Sequence, residues 1–240
     1  MLGRFLEYSI ATPDIRASLE FYARLGFSQA VVGEAWRHLY AVVTDGRIHL
    51  GLHQDSTQAS SITFVKPELL KHLAALEGAG VNFEFCRLDN DVFNELGWFD
   101  PSEHLVRLLE ARTFSPTKRG DTDTSACGYF LEIGLPAPNI GASKDFWEKL
   151  GFVGMDEPAA ALPHVSCTSD SINIGLYEPA HLRTPALVFD AGDVGAALAR
   201  LAAAGIEPAF PIPAPLRQRG VAVLVAPEGT SILLLPEPEP

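Results

Sequence analysis

The sequence predicts an α+β protein of four strand–helix–strands modules, joined as two tandem pairs, with mostly antiparallel pairing after each helix. Three observations lead there. The phrase FLEYSIATPDIRASLEFYARLGF at 5–27 returns as FLEIGLPAPNIGASKDFWEKLGF at 130–152. The offset that carries Glu7 to Glu132 also carries LAALEGAGV (73–81) to LARLAAAGI (198–206). Nearby offsets relate IHLGLH (48–53) to INIGLY (172–177) and DPSEHLVRLLE (100–110) to APEGTSILLLP (226–236). Self-similarity held in order over such a span marks a repeated architecture.

Each half divides again. RFLEYSIA alternates as a strand, with Phe5, Glu7 and Ser9 on one face and Leu6, Tyr8 and Ile10 on the other. Asp14 then offers an N-cap, Ile15, Leu19, Tyr22 and Leu25 recur at helical spacing, and Gly26 suits a left-handed C-cap. WRHLYAVV and GRIHLGLHQ are alternating runs joined around TDG, a hairpin signal. SITFV opens a second module; PELLKHLAALEGAG follows as a helix beginning at Pro67, and VNFEFCRL and HLVRLLEA close it. The second half repeats the series: strand 129–135, helix 139–150, strands to 178, strand 186–190, helix 192–204 and strands to 235. Modules therefore span 4–54, 60–112, 128–178 and 185–236. The first domain is expected at 1–112, a polar linker at 113–127 and the second domain at 128–240. The proline-rich PAFPIPAPLRQRG (208–220) has no counterpart in the first half and reads as an irregular loop, with a cover over the second-half cavity as the alternative.

Composition limits the function classes. The 240 residues are 47% hydrophobic and 20% charged, enough for a substantial core. A net charge of −12 argues against nucleic acid, whose binding needs a basic face. No apolar run reaches membrane-helix length, and the N-terminus lacks the pattern of a secretory signal. Cys86, Cys127 and Cys167 are too few and too dispersed for a disulfide framework or a zinc knuckle. A cytoplasmic protein, monomer or homodimer, is expected, with a small organic molecule as its partner. No P-loop, dinucleotide fingerprint or nucleophile elbow is present.

DIRASLEFYARLGF, with DFWEKLGF as a second copy, resembles the opening of the paired βαβββ modules of the vicinal oxygen chelate superfamily. That superfamily includes glyoxalase I, extradiol dioxygenases and bleomycin-resistance-type binding proteins. The resemblance implies two tandem glyoxalase-like domains. In metal-dependent members the ligands, usually His, Gln or Glu, come from the first and closing strands of each module. Carried over residue by residue, the first half offers Glu7, His49 (with Gly51 and His53 on its face), Ser61 or Thr63, and Arg107. Arg107 stands where the motif D-P-x-G-x-x-x-E has its glutamate. The second half offers Glu132, Asn173, Ala186 and Leu233. An arginine repels a divalent ion, and alanine and leucine cannot ligate. A bound cofactor is therefore not expected; the alternative is one divalent ion (Mn, Fe, Ni or Zn) on Glu7 and His49.

A carboxylate on an apolar strand needs a partner. His38 and His164 recur after the first helix of each half, so Glu7–His38 and Glu132–His164 are candidate pairs. They are either structural bonds or, in the first half, part of a pocket floor. In the second reading Glu7 or His38 acts as base, and Arg107 holds a carboxylate or enolate. Trp36, Tyr40, His49, His53, Ser61, Phe83, Phe85 and Trp98 are the candidate ligand contacts, for a ligand that is cationic or aromatic. Glu132, His164 and Asn173 are expected to be structural. The function expected is small-molecule binding of the glyoxalase/bleomycin-resistance type in the first-half pocket. The alternative is a metal-dependent lyase or dioxygenase using Glu7 and His49.

Overall fold

The computed structural model describes residues 2–31, 38–55, 59–89, 94–111 and 125–237. The first half contains β1 (Arg4–Ala11), α1 (Ile15–Arg24), β2 (Ser28–Ala30), β3 (Tyr40–Thr44), β4 (His49–His53), β5 (Ser61–Lys66), α2 (Leu73–Gly78), β6 (Phe83–Arg87), β7 (Glu95–Phe99) and β8 (Leu105–Glu110). The second contains β9 (Tyr129–Pro136), α3 (Ile140–Lys149), β10 (Val153–Glu157), β11 (His164–Thr168), β12 (Asn173–Tyr177), β13 (Ala186–Gly192), α4 (Val194–Ala203), α5 (Ala214–Gln218), β14 (Ala222–Val225) and β15 (Ser231–Pro236). This is an α+β fold with two similar halves.

Local chemistry sets these boundaries. Asp14 accepts from the Arg16 and Ala17 amides at the start of α1, and Asn139 and Asp193 cap α3 and α4 in the same way. Gly26, Gly151 and Gly205 end those helices at φ 92°, 101° and 71°, a left-handed turn that glycine makes at no steric cost. The helix expected from Pro67 differs. Glu68 has φ 53°, so the segment forms a 3₁₀ turn at Leu69–His72 before α2 begins.

The sheets run β2-β3-β4-β1-β5-β8-β7-β6 and β10-β11-β12-β9-β13-β15-β14. Each module closes with a parallel pair (β1 with β4, β5 with β8, β9 with β12, β13 with β15), and the two modules of a half join antiparallel through their first strands. The second sheet has one strand fewer. Where the other modules form a strand after the helix, the fourth has Pro208, Pro211, Pro213 and Pro215, which cannot complete a ladder, and α5 forms there instead.

One face of each sheet, with α1 to α4, builds a single core spanning both halves; Tyr22, Trp98, Trp147 and Leu201 are fully buried in it. The repeated Ala-Ser of the opening phrases belongs to this seam. Ser18 donates to Glu228 Oε2 (2.7 Å) in the closing turn of the other half, where Tyr22 also donates to Glu228 Oε1 (2.7 Å). Its counterpart Ser143 bonds Ser102 (2.8 Å) in the corresponding turn of the first half. Phe64 and Phe152 meet edge to face across the same seam.

Bulges in β1, β9 and β6 alter the alternation read from the sequence. Phe5 pairs Phe64 while Glu7 pairs Thr63, so Leu6 is extra, and Phe5 turns into the core rather than sharing the Glu7 face. Leu131 is the corresponding extra residue in β9. In β6, Phe83 pairs Trp98 and Phe85 pairs Gly97, so Glu84 is extra and the two phenylalanines face opposite ways.

Candidate functional site

The face of each sheet turned away from the shared core carries the duplicated glutamates. Glu7 is 2% exposed and Glu132 4% exposed, so each carboxylate must find its partners inside the protein. Glu7 Oε1 lies 2.9 Å from His53 Nε2 and accepts from Ser9 Oγ (2.8 Å), while Oε2 accepts from Tyr40 OH (2.5 Å). Glu132 Oε1 accepts from Tyr177 OH (2.6 Å) and lies 3.1 Å from His164 Nε2, and Oε2 accepts from Ser166 Oγ (3.0 Å). Each buried carboxylate thus has one tyrosine, one histidine and one serine.

Room for it comes from a glycine on the neighbouring strand. A Cβ at Gly51 would stand 2.1 Å from Glu7 Oε1, and one at Gly175 would stand 2.0 Å from Glu132 Oε1. The glycines repeated in IHLGLH and INIGLY are the sequence signal for this arrangement.

The first-half network extends outward. His53 Nδ1 lies 2.9 Å from His38 Nε2, and His38 Nδ1 lies 3.9 Å from Asp55 Oδ2. His38 thus bonds His53, and it is His53 that bonds Glu7, which corrects the expected Glu7–His38 pair. Burial and the neighbouring His53, with Arg107, lower the His38 pKa against the pull of Asp55. In the second half His164 touches Glu132 directly, and its Nδ1 bonds the Leu162 carbonyl at 2.8 Å. Burial opposes protonation of His164, yet the bond to and charge of Glu132 outweigh it and raise the pKa. Burial first, then Glu132, pushes the Tyr177 hydroxyl well above its usual range.

The strands place Glu7, Thr63 and Arg107 in one row, since Glu7 pairs Thr63 and Thr63 pairs Arg107. Ser61 lies on that face one step along and bonds Thr63 (3.2 Å). Arg107 is 9% exposed, with its guanidinium 5.6 Å from the Phe85 ring. Burial lowers its pKa while Glu95, Glu7 and Asp55 support the charge, which an arginine keeps at neutral pH. Phe85 lies over Gly97, where a side chain would strike its ring at 2.1 Å. Beside them opens a pocket of about 410 Å³, bordered by Asp55, Phe85, Arg87, Phe99, Leu105 and Arg107.

Several expected contacts fall elsewhere. Trp98 is fully buried in the core with Phe83 edge-on at 6.1 Å, so neither reaches the pocket; the bulge at Glu84 and the strand alternation send them to the other face. Phe99, next to Trp98, lines the pocket instead, as do Asp55 and Arg87, which sequence reasoning missed. His49 is half-buried on β4 opposite Thr44, and the histidine bonded to Glu7 is His53. Trp36 lies outside the described residues. Asn173 donates to the Leu131 carbonyl at 3.3 Å, a strand-to-strand tie. His104 is half-buried, with Nδ1 3.1 Å from Asp100.

The same face of the second half is filled. Val188 pairs Glu132, correcting Ala186 as the matching position, and Leu233 pairs Val188. Leu162, Leu182, Leu216 and Val223 pack onto them in a second apolar cluster. Leu216 comes from α5, so the proline-rich segment covers this face; it is not an irregular surface loop.

No family profile and no curated protein matches the chain. Solved structures do. Catechol 2,3-dioxygenase superimposes with a TM-score of 0.59 at 15% identity, over 100% of this chain and 90% of that one. A variant of homoprotocatechuate 2,3-dioxygenase from Brevibacterium fuscum gives 0.61 at 15% identity, over 99% and 72%. A mutant of 4-hydroxymandelate synthase from Streptomyces coelicolor gives 0.56 at 12% identity, over 96% and 91%. At these identities the likeness is one of fold: two similar halves of paired modules, matched over nearly the whole chain.

The donor set does not fit the divalent ion that the sequence resemblance holds out as the alternative. The first-half row supplies a carboxylate already bonded to three side chains, a hydroxyl and a guanidinium. The second-half row supplies Glu132 with valine and leucine. Among the described residues no three His, Cys, Asp or Glu side chains are grouped to bind an ion. Among them too, no helix is long and apolar enough to cross a membrane.

Proposed function

We propose that the protein binds a small planar organic acid in the open pocket of its first half, taken as residues 1–112, with the second half (128–240) as scaffold. One contrast supports this reading. Two faces built from equivalent strands differ in that one borders a pocket of about 410 Å³ and the other is packed by Leu162, Leu182 and Leu216. The walls suit a ring: Phe85 and Phe99 offer aromatic surface and Leu105 an apolar edge. Arg107, held on a central strand and largely desolvated, supplies a fixed positive charge for a carboxylate. The Glu7–Tyr40–His53 cluster supports the strands behind it and leaves Glu7 committed to internal bonds.

The test is calorimetric titration with substituted benzoates and, in parallel, benzylamines, on wild type and Arg107→Met. Benzoates binding in the micromolar range, weakened at least tenfold by the substitution, is the expected result. Binding of benzylamines alone, or benzoate binding indifferent to Arg107→Met, overturns the reading.

A further inference from the structure

We infer that the ligand is elongated and that its far end lies in the seam between the halves, where Glu103 and Arg183 read a zwitterionic, amino-acid-like group. This rests on the binding reading above and extends it.

The pocket beside Arg107 adjoins a second one at Phe99. Ala59, Phe99 and Leu105 line both that pocket and the second, of about 340 Å³. The second chamber belongs to both halves: the first contributes the turn before β8, and the second contributes Leu135, Pro136 and Arg183. Phe99 stands at the join with 46% of its surface exposed, a large apolar ring left uncovered on the boundary of two chambers. A ligand that lays a flat head against it in the first chamber lies next to the second.

An independent observation marks the second chamber. Glu103 lines it with backbone φ 66°, a conformation that costs a non-glycine residue strain. The second half shows what this turn otherwise uses. Its closing turn has the same hydrogen bonds (Asp100 to His104 and Glu103 to Asp100 become Ala226 to Thr230 and Gly229 to Ala226), and glycine occupies the strained place at φ 91°. The first half thus carries a carboxylate where the backbone alone calls for glycine, and it does so on a pocket wall. A carboxylate and a guanidinium bordering one chamber complement an ammonium and a carboxylate, the two charges of an α-amino acid.

The experiment compares 4-methylbenzoate with a ladder of benzoates that carry an α-amino-acid group in the 4-position through one, two or three methylenes. Affinities are read by calorimetry on wild type, Arg183→Ala and Glu103→Gly; the last variant relieves the backbone and so cannot fail by misfolding of the turn. At least one tailed benzoate is expected to bind wild type tenfold or more tighter than 4-methylbenzoate, and that ratio is expected to fall to about one in each variant. If 4-methylbenzoate binds and no tail improves it, or the ratio survives both substitutions, the seam site is overturned while the first-half reading stands. If neither kind of probe binds, both are overturned.

Discussion

His53 and Tyr177 occupy equivalent places in the two halves, at the ends of β4 and β12, and both bond the Oε1 atom of the equivalent glutamate, at 2.9 and 2.6 Å. Their cross-strand partners are exchanged as well. Tyr40 faces His53 on β3, and His164 faces Tyr177 on β11. Ring centroids are 4.6 Å apart in both pairs. The hairpin keeps one imidazole and one phenol beside the carboxylate, and which strand carries which is immaterial, because directly opposed residues reach the same point.

Exchanging the first-half pair should therefore be tolerated. Tyr40→His and His53→Tyr singly should each cost about 2–3 kcal/mol, the range for leaving a buried carboxylate short of a partner. The double exchange should recover most of that, to within about 1.5 kcal/mol of wild type, the residue being the lost His53–His38 contact. Urea denaturation of all four proteins measures this. Costs that simply add would mean that the two rings do not act as one unit.

The glycines opposite the glutamates should tolerate no side chain. Gly51→Ala and Gly175→Ala each place a methyl within 2.1 Å of a glutamate oxygen, and Gly175 has the Tyr177 ring close by as well, at 2.6 Å. The carboxylate must leave its bonds, so each substitution is expected to lower stability by about 2–4 kcal/mol, overpacking and lost hydrogen bonds together. Thermal melts check this, with Gly141→Ala as control, since the nearest atom to a Cβ there is 3.7 Å away.

The duplication, the capped helices and the special place of Glu7 and Glu132 were all legible, because repetition and capping are written in adjacent residues. The pocket walls were not. Alternation assigns faces only while pairing is regular, and the bulges at Leu6, Glu84 and Leu131 leave no mark in the residue pattern. The one at Glu84 sends Phe83 to the core and Phe85 to the site. The exchanged histidine and tyrosine also misled. Matching His38 with His164 by position hid the true equivalence, since the ring opposite His164 is Tyr177 and the first half's bonded histidine is His53. Four prolines announced that 208–220 would not be a strand, but only packing shows Leu216 closing the second-half face.

His164 makes stability depend on pH. Its pKa is raised in the folded protein, with burial opposing and the bond to and charge of Glu132 prevailing. The folded state thus binds the proton more tightly than the unfolded one, where histidine titrates near ~6.5. The resulting stabilisation is complete below that value and is lost as the pH rises through the folded pKa. The gap in melting temperature between wild type and His164→Gln should be wider at pH 6 than at pH 8. An unchanged or inverted gap would show that the imidazole stays neutral against Glu132.

Leu216 is the test of why the second half has no open face. It is 5% exposed and projects from α5 into the cluster formed with Val188, Leu233 and Val223. Truncation to alanine removes the plug without adding charge, so Leu216→Ala should cost about 2–4 kcal/mol, the usual range for a buried leucine. The low end is expected if α5 sinks inward to refill the space. The high end means that the cavity stays open beside Glu132, and such a cavity, being apolar, should take up a small hydrocarbon. Melting curves of Leu216→Ala with and without benzene distinguish the two, since a ligand that binds only the folded protein raises the midpoint. A cost below about 0.5 kcal/mol, typical of surface positions, would mean that the segment merely lies on this face and does not close it.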